Sequence, residues 1–178
     1  MRLFVALDLP KSIKDKLFYL KDNQLKGARW TSSKQWHITL HFIGEIESDT
    51  AIKDALSTVS AQSFSLKLDG IGTFPEKGKP RVLWVGISQS NLLNTLYQQV
   101  GDALKTTGFQ PETRPFSPHL TLARFKDDAP GRAEMDSYRD KHNSFSTDDF
   151  QIKQFTLYES KLERTGAIYT VRAQYELR

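Results

Sequence analysis

Four side chains in two matched pairs are of the types that do acid–base chemistry. The pattern His-x-Thr-x occurs twice, with His37 and Thr39 in the first copy and His119 and Thr121 in the second. The whole chain contains only four histidines. Both copies lie in short apolar runs typical of β-strands, in which alternate side chains face opposite sides. Each His is therefore expected to face the same side as its own Thr.

Two imidazoles and two hydroxyls in one cleft would suit chemistry on a phosphate ester. Histidine has an unperturbed pKa of about 6.5, so it can give and take a proton near neutral pH. A neutral ring activates the attacking oxygen, and an imidazolium protonates the leaving oxygen. Threonine hydroxyls can donate hydrogen bonds to the non-bridging phosphate oxygens. We therefore expect His37 and His119 to be catalytic and Thr39 and Thr121 to bind the phosphate, with no cofactor.

Two simpler interpretations of the histidines are less favoured. A half-buried histidine can be purely structural, but packing does not require His-x-Thr twice in a matched frame. A metal site on one strand is also disfavoured, because His37 and His41 are separated by about 13 Å of backbone. Each ligand nitrogen must lie about 2 Å from a zinc ion. We expect no metal, and we expect His41 to be structural or to lie at the edge of the cleft.

The two motifs belong to a longer internal repeat of about 80 residues. Residues 2–7 resemble residues 81–87, in the same order relative to the His motifs. Each half, about 1–75 and about 81–160, shows the periodicity of strand, helix, strand, helix and strand. The predicted strands cover residues 2–8, 36–43, 64–74, 81–88, 118–125, 149–160 and 167–177.

This order of elements predicts an α+β fold that is bilobal and duplicated. Two lobes related by a pseudo-twofold axis would each contain an antiparallel sheet with helices outside it. The two His-x-Thr strands would occupy equivalent positions and converge on a cleft between the lobes. We expect residues 1–178 to form a single domain, with a final strand at about 167–177. A monomer would suffice, because the internal symmetry builds the site without a second chain.

Composition restricts the class of protein. Hydrophobic residues make up 38% and charged residues 26% of the 178 residues, as in globular proteins. No apolar run approaches the roughly 18–20 residues of a membrane span. The apolar run at the N-terminus is too short for a signal peptide and reaches an acidic residue, Asp8, too early. We therefore expect a cytoplasmic location and no association with a membrane. The absence of cysteine excludes disulfides and thiol catalysis. A net charge of +4 leans towards anionic partners such as nucleic acid.

Residues 37–44 and 114–124 resemble the two signatures of the 2H phosphoesterase superfamily. The likeness is greatest to its bacterial and archaeal RNA 2′,3′-cyclic phosphodiesterases, also called 2′-5′ RNA ligases, and it runs from about residue 1 to 176. The resemblance implies metal-independent opening of RNA 2′,3′-cyclic phosphates to 2′-phosphates. It also implies weak, reversible, ATP-independent 2′-5′ RNA ligation. The expected partners are RNA ends or tRNA fragments that carry a 2′,3′-cyclic phosphate.

The resemblance also implies roles for individual residues. His37 and His119 match the acid–base pair, and Thr39 and Thr121 match the phosphate-binding hydroxyls. Arg124 matches a basic residue that often follows the second motif. Simple strand alternation would turn Arg124 away from the cleft, so a role in substrate binding needs a twist or a bulge there. A surface salt bridge is the alternative.

Three further points stay open at the level of sequence. Formation of a 2′-phosphate breaks the bond to the 3′ oxygen, so the acid must lie beside that atom. Our hypothesis makes His37 the proton donor and His119 the proton acceptor. Trp36 and Phe116 would bind substrate by stacking on a terminal base, a contact worth roughly 1–3 kcal/mol, unless they pack beneath the cleft. Alternative functions are hydrolysis of a small cyclic phosphate, from a nucleotide or ADP-ribose, and RNA-end binding without turnover.

Overall fold

The computed structural model describes residues 1–178, which form ten strands and four α-helices. Short 3-10 helices add Phe18–Leu20 and Ser33–Gln35. The helices are α1 (Lys11–Leu17), α2 (Thr50–Ser57), α3 (Asn91–Lys105) and α4 (Arg132–His142). The strands are β1 (Arg2–Asp8), β2 (Arg29–Trp30), β3 (His37–Glu45), β4 (Phe64–Leu66), β5 (Leu68–Phe74), β6 (Val82–Ile87), β7 (His119–Arg124), β8 (Phe150–Ile152), β9 (Gln154–Glu163) and β10 (Gly166–Glu176).

The strands form two four-stranded antiparallel sheets and one small sheet. The first sheet has the order β10-β9-β1-β3, and the second has the order β2-β7-β6-β5. β4 and β8 pair only with each other. The predicted α+β class with antiparallel sheets is confirmed. None of the four helices has the length and apolar character needed to span a bilayer.

The two halves of the chain exchange their last long strands. β5, from the first half, pairs with β6 of the second half, whereas β9, from the second half, pairs with β1 of the first. Each four-stranded sheet therefore contains strands from both halves, and the lobes do not coincide with the sequence repeats. Hydrophobic periodicity indicates which residues form strands but does not identify their partners.

This exchange explains where the strand predictions differ from the structure. The predicted strand at 64–74 is interrupted at Lys67, and the predicted strand at 149–160 is interrupted at Lys153. Each interruption allows the chain to leave the small sheet and join a four-stranded one. The hydrophobic pattern does not predict β2, because two residues are too few to show alternation.

One continuous hydrophobic core lies beneath both sheets. α3 contributes buried leucines at helical spacing, including Leu93 and Leu96. The Oγ of Ser90 accepts a hydrogen bond of 3.1 Å from the backbone N–H of Leu93, which fixes the start of α3. Because the core is shared, the two strands that carry the His-x-Thr motifs are held on a common support.

Candidate active site

β3 and β7 pack against each other and bring the two His-x-Thr motifs together. His37 and Thr39 lie at the start of β3, and His119 and Thr121 lie at the start of β7. All four side chains are partly exposed, while the residues between and after them are buried. His119 lies close enough to His37 for its charge to lower the pKa of His37. The two motifs therefore face one cleft.

A β-bulge in β7 brings Arg124 to the cleft. The register between β6 and β7 shifts between Leu83 and Trp84, which leaves Leu122 as an extra residue without a partner. An extra residue reverses the alternation of the side chains that follow it. Arg124 therefore lies on the same face as His119. This is the bulge that a role of Arg124 in substrate binding was expected to need. Arg124 is exposed and forms no ion pair in the structure.

β3 contains the equivalent bulge, directly after its Thr. The register between β1 and β3 shifts between Val5 and Ala6. Phe42 consequently lies on the same face as His37, and 59% of its surface is exposed. The position after the bulge is thus a cation in β7 and an aromatic ring in β3.

A backbone carbonyl fixes the tautomer of His119. The Nδ1 of His119 lies 2.8 Å from the backbone oxygen of Ser117. A carbonyl oxygen only accepts hydrogen bonds, so Nδ1 carries the hydrogen and Nε2 of the neutral ring is an acceptor. The carbonyl of Gln35 favours the charged form of the His37 ring, and Nε2 of His37 lies 3.0 Å from Oγ1 of Thr39. The Nε2 of His119 is therefore available as a proton acceptor, and that of His37 lies beside the Thr39 hydroxyl.

Burial keeps both rings neutral near pH 7 in the unliganded protein. It lowers the pKa of His37 to about 4, against smaller opposing effects of the Gln35 carbonyl and the Asp8 carboxylate. Burial also lowers the pKa of His119, and the positive charge of Arg124 lowers it further. An anionic phosphate in the cleft would favour the imidazolium form and raise these pKa values again.

Aromatic rings hold the two histidines in place. The ring of His37 contacts those of Phe4 and Tyr169, with centroids 4.9 and 5.2 Å away, and these two rings also contact each other. The ring of His119 meets Phe74 edge to face at 5.0 Å. These contacts limit rotation of the imidazoles and keep water from one side of each ring.

The two aromatic residues predicted to stack on a base have different positions. Trp36 is only 1% exposed and its Nε1–H donates to Oγ1 of Thr31, so it belongs to the core. Its burial contradicts the predicted stacking on substrate and agrees with the alternative of packing beneath the cleft. Phe116 is partly exposed and stacks on Tyr97 with centroids 3.9 Å apart. One face of Phe116 is therefore covered, and a contact with a base through its remaining surface stays a prediction.

His41 has a structural position. It is 4% exposed, its Nε2 donates to the carbonyl of Tyr97 at 2.8 Å, and its ring stacks on that of Tyr97. His41 thus ties β3 to α3 and lies away from the proton-transfer atoms. No three His, Asp or Glu side chains are grouped as ligands for a metal ion.

Comparisons with known proteins agree with this geometry. The model of the 2′-5′ RNA ligase superfamily matches residues 21–164 of the chain. The chain belongs to this superfamily. It is 32% identical over 173 residues to the RNA 2′,3′-cyclic phosphodiesterase of Methanocaldococcus jannaschii, covering 96% of this chain and 98% of that relative. It is 36% identical to the protein of the same name from Archaeoglobus fulgidus, covering 95% and 96%.

Solved structures of the 2′-5′ RNA ligase fold match the whole chain. Escherichia coli LigT complexed with 3′-AMP superposes with a TM-score of 0.76 at 26% identity, covering 99% of this chain and 97% of LigT. Thermus thermophilus TT0787 superposes with a TM-score of 0.82 at 26% identity, covering 100% and 98%.

Three residues of this 2′-5′ RNA ligase superfamily site are not predicted from the sequence. Phe4, Tyr169 and Asp8 lie around His37, but they come from β1 and β10, and the His-x-Thr motifs do not include them. The sequence offers one indication of Asp8, because this residue ends the first predicted strand of the repeat. Only the pairing of β1 with β3 shows that Asp8 lies opposite His37.

Proposed function

We propose that this protein hydrolyses RNA 2′,3′-cyclic phosphate ends to 2′-phosphates. The observation that carries the proposal is the placement of two His-x-Thr motifs on the packed strands β3 and β7, each with its Nε2 available. Relatives that share almost the whole chain are named RNA 2′,3′-cyclic phosphodiesterase. Binding of 3′-AMP by LigT, a similar fold, supports a nucleotide ligand.

In the proposed reaction, His119 is the general base and His37 is the general acid. The Nε2 of His119 takes a proton from water as the water oxygen bonds to phosphorus. The bond between phosphorus and the 3′ oxygen then breaks, and Nε2–H of His37 gives its proton to that oxygen. The phosphate stays on the 2′ oxygen. Afterwards His119 is charged and His37 is neutral, and exchange with solvent restores the starting state.

The hydroxyls and Arg124 act on the non-bridging oxygens of the phosphate. Thr39 and Thr121 lie on the same faces as His37 and His119, where they donate to these oxygens as negative charge builds. Arg124 adds a positive charge beside His119. Hydrogen bonds to such an oxyanion strengthen in the transition state, which is why these groups raise the rate.

The same site accounts for 2′-5′ ligation. A 5′-hydroxyl that replaces water as the attacking group forms a 2′-5′ linkage as the bond to the 3′ oxygen breaks. The strained cyclic phosphate supplies the driving force, so ATP is not required, and the reaction runs in both directions. We further propose that one copy of the chain is sufficient, since β3 and β7 supply both motifs.

Turnover in the presence of EDTA tests the proposal. An oligoribonucleotide that ends in a 2′,3′-cyclic phosphate should yield a 2′-phosphate, identified by 31P NMR, with wild-type protein in excess EDTA. His37→Ala and His119→Ala should each lose activity by several orders of magnitude. Loss of wild-type turnover in EDTA would overturn the metal-independent mechanism. Wild-type binding without turnover would instead favour an RNA-end binding protein. Comparison of the rate on this RNA with the rates on 2′,3′-cyclic AMP and on a cyclic phosphate of ADP-ribose distinguishes RNA from small substrates.

A further inference from the structure

The two catalytic histidines face different residues across their ladders. In the β1–β3 ladder the partner of His37 is Asp8, whereas in the β6–β7 ladder the partner of His119 is Gly86. A Cβ at Gly86 would lie 2.6 Å from the backbone oxygen of Asp69, so no carboxylate side chain fits there. A carboxylate therefore faces one histidine of the pair and is sterically excluded from the other.

Hydrogen bonds hold the carboxylate of Asp8 in position. Oδ1 accepts a hydrogen bond from the hydroxyl of Tyr158, and Oδ2 accepts one of 3.1 Å from Oγ1 of Thr156. Both oxygens act as acceptors, as in an ionised carboxylate. Burial, assisted by Asp8, raises the pKa of Tyr158, which keeps its hydroxyl a donor over the working range of pH. The charge of Asp8 is thus fixed between β1 and β9.

Asp8 is the negative group among the charged side chains that act on His37. Lys14 of α1 and His119 of β7 disfavour the imidazolium form of His37, whereas Asp8 favours it. Tyr169 of β10 contacts the ring as a neutral phenol. At His119 the acting charge is Arg124, which disfavours the imidazolium form. The charge with the largest effect on His37 is therefore negative, whereas the charge that acts on His119 is positive.

We propose that Asp8 is a positioning residue that favours the protonated form of His37, the ring that gives its proton to the leaving oxygen in the proposed reaction. The inference rests on the proposed function and deepens it. Asp8 acts through His37, its partner in the ladder, while Tyr158 and Thr156 hold its carboxylate. Burial lowers the pKa of His37, and the carboxylate of Asp8 raises it. An anionic substrate therefore needs to raise the pKa of His37 by less before the ring is protonated.

Asp8→Asn is the direct test, and Tyr158→Phe is its matched control. Asp8→Asn removes the charge but keeps the size and one acceptor oxygen. Tyr158→Phe removes a hydrogen bond to Asp8 but keeps both its charge and the aromatic contact with Phe4. We expect Asp8→Asn to lower the pKa of His37 by about half a unit to one unit, at or below the low end of the roughly 1–3 units that a directly adjacent opposite charge produces. Tyr158→Phe should not lower it.

The change in pKa predicts a characteristic effect on rate. Above the pKa of His37 the protonated fraction falls tenfold for each unit, so kcat/KM of Asp8→Asn should be about 3- to 10-fold below wild type at pH 7. The difference in kcat/KM between wild type and Asp8→Asn should become smaller as the pH falls towards the pKa of His37. A purely structural role would give a ratio that does not depend on pH. Tyr158→Phe should keep the pH dependence of wild type.

A second variant removes a charge of the opposite sign that also acts on His37. Lys14→Gln removes a positive charge that acts on His37, so it should raise the pKa of His37 and leave that of His119 nearly unchanged. NMR titration of the ring C–H signals measures both values without turnover. An unchanged His37 titration in Asp8→Asn and Lys14→Gln overturns the inference. Absence of wild-type turnover would overturn the proposed function alone, because the titration still reports the effect of Asp8.

Discussion

Thr39 and His37 hydrogen-bond to each other within the first motif, with Oγ1 and Nε2 only 3.0 Å apart. When Nδ1 of the neutral His37 ring carries the hydrogen, Nε2 accepts a hydrogen bond from the Thr39 hydroxyl. Protonation of His37 turns Nε2 into a donor and frees that hydroxyl for a phosphate oxygen. Proton uptake and phosphate binding are therefore coupled at this motif. At His119, the bond to the Ser117 carbonyl leaves Nε2 free to act as a base.

Replacing either threonine should slow the reaction, but only one replacement should disturb a histidine. Thr39→Val and Thr121→Val each remove a donor to the phosphate, so we expect kcat/KM to fall by about 100-fold in each. Thr39→Val also removes the partner of Nε2 of His37, so it alone should shift the His37 signals in NMR. Steady-state kinetics on 2′,3′-cyclic AMP and a ring C–H titration provide the measurements. A shift of equal size in Thr121→Val would contradict the coupling.

A better leaving group should identify the acid. A nucleoside 2′,3′-cyclic phosphate with sulfur in place of the 3′ oxygen releases a thiolate, which needs no proton from the enzyme. His37→Ala should recover most of its lost rate on this substrate, about the 100- to 10,000-fold that general acid catalysis contributes. His119→Ala should remain slow, because its missing base is still required. Recovery in His119→Ala instead would reverse the assigned roles.

A pH–rate profile offers an independent check on the same assignment. Disappearance of the acidic limb in His37→Ala, with its survival in His119→Ala, would make His37 the base.

Much of the site follows from sequence because each His-x-Thr unit is local. Strand alternation alone predicts that His37 and Thr39 share a face, and the structure agrees. Alternation fails at Arg124, because the bulge that turns it towards His119 arises from the pairing of β6 with β7. Asp8 is not predicted for the same reason. Its effect on His37 depends on the register between β1 and β3, which are about 30 residues apart in sequence.

The exchange of strands between halves also has a physical basis that sequence does not reveal. β5 and β9 are antiparallel neighbours of β6 and β1, and their apolar patterns would suit either sheet. The exchange is accompanied by a core that both sheets share and by the pairing of β4 with β8. The position of Trp36 is also not determined by sequence. An aromatic residue next to His37 gives the same sequence pattern whether its side chain faces the cleft or, as here, the core.

Burial of neutral His37 should make the fold sensitive to acid. The pKa of His37 is lowered to about 4 from 6.5, so the unfolded chain binds the proton first as the pH falls. Stability is then lost between pH 6.5 and about 4, by up to roughly 3 kcal/mol for this group. Urea unfolding at pH 7 and pH 4.5 should show a smaller loss in His37→Gln than in wild type. An equal loss in both proteins would show that His37 is not the group responsible.

Arg124 should affect catalysis through its charge in the cleft. It lies on the face of His119 and has no protein carboxylate as a partner, so a substrate phosphate is free to pair with it. Arg124→Gln should lower kcat/KM by about 10- to 100-fold, the range of a charge-assisted hydrogen bond. It should also raise the pKa of His119, because a nearby positive charge is removed.

Arg132 provides the matched control for this prediction. It is exposed on α4, outside the two strands that carry the motifs, and it pairs with Asp136 at 3.7 Å. Arg132→Gln makes the same change in net charge, so it should reproduce any general effect of charge on RNA binding. Rates measured over a range of salt concentrations separate the two effects, since general attraction is screened by salt. Equal losses in Arg124→Gln and Arg132→Gln would remove Arg124 from the site.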